Sequence, residues 1–232
     1  MPSLPESPAT PTSPSRAQRT RASILDAAEA LFAERGFAVT RLEDVAERVG
    51  IRRASIVYHF RDKTELYDAV LESVFGDLLA RVEAALSAPG PLGARIEAAV
   101  SAWVDCIGAR PSLSRILLRE VADAAPDRAP ALLRHTRPFI DVIGRVMAGE
   151  RDDPLLAEAP IDPVLLASTI AGGSVFFIAA MPALLPERNL DPVDGERLEA
   201  LRDAVLRITR RLLGTSGPRS LRGRSARKPR RE

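Results

Sequence analysis

Residues 40–63, TRLEDVAERVGIRRASIVYHFRDK, constrain this chain more than any other stretch. Leu42, Val45, Ala46 and Val49 recur at i, i+3, i+4 and i+7, so one face of a short helix is apolar. Thr40, three residues ahead of Glu43, predicts a capping box at its start. Gly50 predicts its end, because glycine enters the left-handed conformation without a Cβ clash. A second run, 52–60, puts Ile56 and Phe60 on one side and Ala54, Ser55 and Tyr58 on the other. Two short helices joined by a tight glycine turn form a helix-turn-helix, here over about residues 41–60.

The chemistry of the second helix points to an anionic partner. Arg52 and Arg53 stand at its start, where the helix dipole disfavours cations unless an anion comes to that end. Guanidinium, methyl, hydroxyl and phenol groups suit the major groove of DNA: arginine for guanine edges, a methyl for thymine, hydroxyls for phosphates. The alternative is a solvated face on an ordinary helical protein.

Gly36, Phe37, Thr40, Val45, Ala46, Val49, Gly50, Ile51, Tyr58, His59, Phe60, Asp62, Lys63 and Leu66 together resemble the DNA-binding signature of the TetR (tetracycline repressor) family. The resemblance covers about residues 16–75. It departs at Arg52, where such proteins usually carry Ser or Thr, and at Val57, where they often carry Tyr. A hydroxyl cap and a phenol are lost, and the Arg52 guanidinium offers charge in their place. The resemblance implies that Arg52, Arg53, Ala54 and Ser55 read bases, while Thr40, Arg41, Tyr58, His59 and Lys63 hold the DNA backbone. It also implies a homodimer, through helices at about 161–184 and 194–213, on a nearly palindromic operator. Two half-sites one helical turn apart multiply the specificity of a helix that covers few base pairs.

The rest of the chain reads as all-α. A helix over about 16–35 has Ile24, Leu25, Ala28, Leu31 and Phe32 on its apolar face and stops at Gly36. Asp62 and Glu65 predict a cap for a helix over 63–87 that links the reading head to the larger body. The break APGPLG comes next, and helices are expected over about 92–108, 112–123, 127–150, 161–184 and 194–213. The expected organisation is a Pro-rich disordered leader (1–15), a DNA-binding domain (16–76), a helical effector-binding and dimerisation domain (77–213), and a disordered basic tail (214–232). That tail accounts for the net positive charge: residues 216–232 hold seven basic residues and one acidic one, about +6 against +2 for the whole chain, so the remainder is near −4. It can add sequence-independent DNA affinity or be merely solvated.

Other classes find less support. The single cysteine, Cys106, excludes an intramolecular disulfide, and two histidines are too few for a zinc cluster. No metal and no cofactor are expected. There is no G-x-S-x-G elbow or H-E-x-x-H motif, and Ser55 and His59 share a helix expected to face DNA, so no enzyme is expected. Residues 163–186 carry no charge, but Ser168, Thr169, Gly172, Gly173 and Ser174 dilute the run and Pro182 interrupts it. A helix apolar all round also suits a protein–protein interface. Without a secretory signal pattern, a cytoplasmic, nucleoid-associated protein is expected. Trp103, Cys106, Leu117, His135, Phe139 and Met147 are candidates to line an apolar effector cavity, or else to fill the core. The expected function is a ligand-released repressor; a helical protein-binding or architectural DNA-binding module without ligand response is the alternative.

Overall fold

The computed structural model describes residues 15–122, 133–158, 162–191 and 193–213. Every regular element among them is helical. The helices are α1 (Arg16–Arg35), α2 (Leu42–Val49), α3 (Arg53–His59), α4 (Lys63–Ser87), α5 (Leu92–Ala109), α6 (Pro111–Ala122), α7 (Leu133–Gly149), α8 (Pro154–Glu158), α9 (Pro163–Ala179), α10 (Met181–Leu184) and α11 (Gly195–Leu212). The leader up to residue 14 and the tail from 214 lie outside the described residues.

The first three helices close a small core. The Ser15 hydroxyl accepts from the Gln18 N–H while the Gln18 side chain accepts from the Ser15 N–H, a reciprocal cap that starts α1. Ile24, Ala28, Leu31 and Phe32 are buried against Val45, Ala46, Ile56 and Phe60, and Leu25 is only half-buried. The start of α2 differs from expectation. Thr40 is fully buried, and its hydroxyl donates to the Gly36 carbonyl at 2.8 Å and the Leu31 carbonyl at 3.3 Å. The cap instead falls one residue later: the Arg41 N–H donates to Asp44 Oδ2 at 2.9 Å. The carbonyls of Leu31 and Gly36 at the end of α1 give the buried threonine hydroxyl the acceptors it needs.

Helix α4 serves both halves. Asp62 accepts from the Glu65 N–H at 2.9 Å and caps it, as the sequence predicts. Its first turns bury Leu66, Tyr67 and Val70 against α1, and its later turns carry Phe75, Val82 and Leu86 among α5, α7 and α9. The expected helix over 161–184 is two helices, because α9 ends at Ala179 and Pro182 lies in the short α10. The five-residue α8 was not expected. No helix among the described residues is long and apolar enough to cross a membrane.

Candidate nucleic-acid interface and effector cavity

The turn between α2 and α3 is set by Gly50, at φ 74° and ψ 34°, whose N–H reaches the Ala46 and Glu47 carbonyls. Ile51 N–H donates to the Ala46 carbonyl at 3.0 Å. The chain therefore reverses tightly, and α3 lies across α2 with Ile56 and Phe60 inside. The Arg21 guanidinium covers the Phe60 ring, 5.0 Å from its centre. On the outer side Arg52, Arg53 and Ala54 are exposed, Ser55 is half-buried, and Tyr58 is 82% exposed. His59 is half-buried and lies edge-on to Tyr58, with ring centres 5.0 Å apart. Arg52 takes the N-cap position with no side-chain cap, so charge replaces a hydroxyl there. Arg53 Nε sits 2.8 Å from Glu43 Oε1, an exposed pair that a stronger anion can displace. Arg41 is exposed at the start of α2.

Two expected backbone contacts are corrected by these positions. The Thr40 hydroxyl is buried and used by α1, so it does not face solvent. Lys63 turns inward: Nζ donates to the carbonyls of Phe37 (2.7 Å), Ala38 (3.2 Å) and Thr40 (3.0 Å) and lies 4.4 Å from the Phe37 ring centre. An ammonium has three hydrogens, and all three are engaged. Val57, treated in the sequence only as a departure from a pattern, is 43% exposed on the outer side. Its position four residues after Arg53 was the available signal.

A cavity of about 580 Å³ lies among α4, α5, α6, α7 and α9. Trp103, Leu117, Phe139 and Met147 border it; Cys106 and His135 do not. His135 is mostly buried, its ring packed on Phe75 and its Nδ1 3.3 Å from Glu72 Oε2 on α4. Cys106 is half-buried elsewhere on α5, and burial pushes its thiol pKa up, which leaves it a poor nucleophile. The sequence reading missed the polar groups at the border: Glu120, Thr136 and Ser168. Glu120 follows Leu117 by three residues on α6, a spacing that places both on one face.

Helix α6 ties this cavity to the reading head. Arg119 donates to the Ala33 and Glu34 carbonyls at 3.2 and 2.8 Å, satisfying the C-terminus of α1. Arg110, just ahead of α6, pairs with Glu29 at 2.7 Å, and the Ser112 hydroxyl donates to the same carboxylate. The Tyr67 hydroxyl donates to Glu120 Oε1 at 2.7 Å, while its ring lies 4.8 Å from both Phe32 and Phe37. Among the described residues no group of three or more His, Cys, Asp or Glu is placed to hold a metal ion.

Comparison with known proteins bears on the same elements. Residues 24–70 match the family model described as bacterial regulatory proteins, tetR family. The HTH-type transcriptional regulator TtgR of Pseudomonas putida is 37% identical over 127 residues, 54% of this chain and 54% of TtgR. RutR of Escherichia coli (strain K12) is 33% identical over 140 residues, 60% of this chain and 65% of RutR. The chain thus spans about half the length of TtgR. The fatty acid degradation regulator FadR of Bacillus halodurans superposes with a TM-score of 0.65 at 16% identity, over 88% of this chain and 97% of FadR, which shows a shared fold. The reading head, residues 24–70, is thus similar to that of the tetR family of bacterial regulatory proteins, and the helical chain as a whole shares the fold of FadR.

Proposed function

We propose that the protein is a homodimeric, sequence-specific transcriptional regulator, a repressor that a small-molecule ligand releases from a nearly palindromic operator. The observation that carries this reading is the pairing of a protruding cationic helix, α3, with an apolar cavity joined to it through α6 and α4. Residues 16–76 form the DNA-binding domain and 77–213 the effector-binding and dimerisation domain, with the boundary inside α4. Arg52, Arg53, Ala54 and Ser55 read base edges, and Arg41, Tyr58 and His59 hold phosphates. The protein works at its DNA target in the cytoplasm.

Dimerisation is supported by apolar side chains left in solvent on the two last long helices. Leu165 is 63% exposed, Phe176 46%, Ile208 49% and Leu212 37%. Exposed glycines at 172 and 173 permit close helix approach. A ligand in the cavity would favour a spacing of the two α3 helices that no longer fits successive major grooves, a population shift.

Operator selection from random duplexes, followed by binding measurements, tests the reading. The chain should enrich one two-fold symmetric motif. Arg53→Ala should then weaken binding by about 1–3 kcal/mol, or roughly 5- to 150-fold. The Glu43 pair lowers the net loss by at most about 1 kcal/mol, because exposed ion pairs are weak. No enriched motif, or unchanged affinity in Arg53→Ala, would contradict it.

A further inference from the structure

We propose that the cavity takes a hydrophobic molecule with a positively charged head group, and that Glu120 holds the head. This rests on reading the cavity as the effector site. The border is apolar nearly throughout, with Phe75, Trp103, Phe139 and Met147 supplying its larger surfaces. Glu120 is its one ionisable residue; no Lys, Arg or His borders it among the described residues. The carboxylate accepts one neutral donor, the Tyr67 hydroxyl at 2.7 Å. No salt bridge to it occurs among the described residues.

The nearby cations are engaged elsewhere. Arg119 serves the α1 carbonyls, Arg110 pairs with Glu29, Arg134 with Asp68, and His135 faces Glu72. A carboxylate beside an apolar hollow, balanced by a single phenol, is an incompletely compensated charge. A cation arriving with an apolar body compensates it and buries hydrocarbon at once. An anionic amphiphile meets repulsion and finds no counter-charge. The arriving head group competes with Tyr67 for the same carboxylate. Tyr67 also packs on Phe32 and Phe37 under the reading head, so occupation of the cavity is felt there.

The test compares three ligands of one chain length: dodecylammonium, dodecanol and dodecanoate, each below its micellar concentration. Binding to the full chain is followed by the fluorescence of Trp103, its single tryptophan, which borders the cavity. Dodecylammonium should bind at least about tenfold tighter than dodecanoate, with dodecanol between them. Glu120→Gln should bring that ratio close to one. Tyr67→Phe, which removes the competing donor, should tighten dodecylammonium binding about threefold or more. Dodecanoate binding as tightly as dodecylammonium overturns the proposal, as does a ratio that survives in Glu120→Gln. Unchanged or weaker dodecylammonium binding in Tyr67→Phe overturns the competition. The wild-type ratio needs no variant to fold. If all three ligands bind alike, only the head-group assignment falls; if none binds, the reading of the cavity as an effector site falls with it.

Discussion

Replacing Lys63 by Met separates two roles that one residue can have in such a chain. Methionine keeps the length and the apolar stem and removes the ammonium. Three carbonyls then lose their donor: Phe37 and Thr40 at 2.7 and 3.0 Å in partly buried settings, and Ala38 at 3.2 Å in an exposed one. The Ala38 carbonyl regains water at little loss. Each of the other two costs about 1–2 kcal/mol, since a partly buried carbonyl stripped of its donor bears a fraction of its desolvation penalty. Loss of the contact with the Phe37 ring adds about 0.5–1 kcal/mol. Together the variant should lose roughly 2.5–5 kcal/mol of stability, or about 5–20 °C in melting temperature for a chain of this size. Urea and thermal unfolding at one fixed protein concentration measure this. Operator affinity is measured in parallel against salt. If Lys63 is a clamp on the α1–α2 turn, the slope of log affinity against log salt stays unchanged. A slope smaller in magnitude by about one, with stability intact, would show that the ammonium leaves the carbonyls for a phosphate and would refute the reasoning.

Three other positions carry expected outcomes of their own. Gly50→Ala should cost about 1–2 kcal/mol in urea unfolding, because φ is 74° and nothing lies within 4 Å of an added Cβ, leaving backbone conformation as the whole effect. Gly50→Asn should cost less, and equal losses would contradict this account. Leu165→Asp should convert a dimer to a folded monomer in light scattering with little change in helical content, since Leu165 is 63% exposed in a single subunit; an unchanged mass would exclude α9 from the interface. The hydrogen bond and charge of Arg210 hold the Glu97 carboxyl below its ordinary value. That contribution to stability is present above the ordinary carboxylate range and is lost as pH falls through the lowered value, so Glu97→Gln should flatten the acid side of the stability profile; an unaltered acid side would show the α5–α11 contact to be idle.

Much of this molecule was legible where side-chain period and caps act within one turn of chain. The end of α1 follows from Gly36 and the start of α4 from Asp62, each acting on its own helix end, whereas Ser15, the cap of α1, was read as part of the leader. The inner and outer sides of α3 follow from the helical period, which separates Ile56 and Phe60 from Tyr58. The misplaced cap at Thr40 shows the limit of that approach. The pairs Thr40–Glu43 and Arg41–Asp44 both have the spacing of a cap, and the Thr40 hydroxyl is taken up by two carbonyls at the end of a different helix. His135 and Cys106 misled for a related reason: residue type marks them as cavity candidates, but rotation of α7 and α5 about their axes turns them elsewhere.

The sequence by itself determined a helical chain with a cationic reading helix, because helix period, glycine punctuation and charge are local properties that survive any tertiary arrangement. Only the tertiary structure decided that Lys63 faces inward, that Glu120 reaches the cavity, and that Tyr67 joins that cavity to the reading head. Each of these is a contact between residues 23 to 53 positions apart in the chain. Such contacts depend on how helices are rotated and crossed, and packing of whole faces sets that geometry beyond the reach of any single residue's pattern.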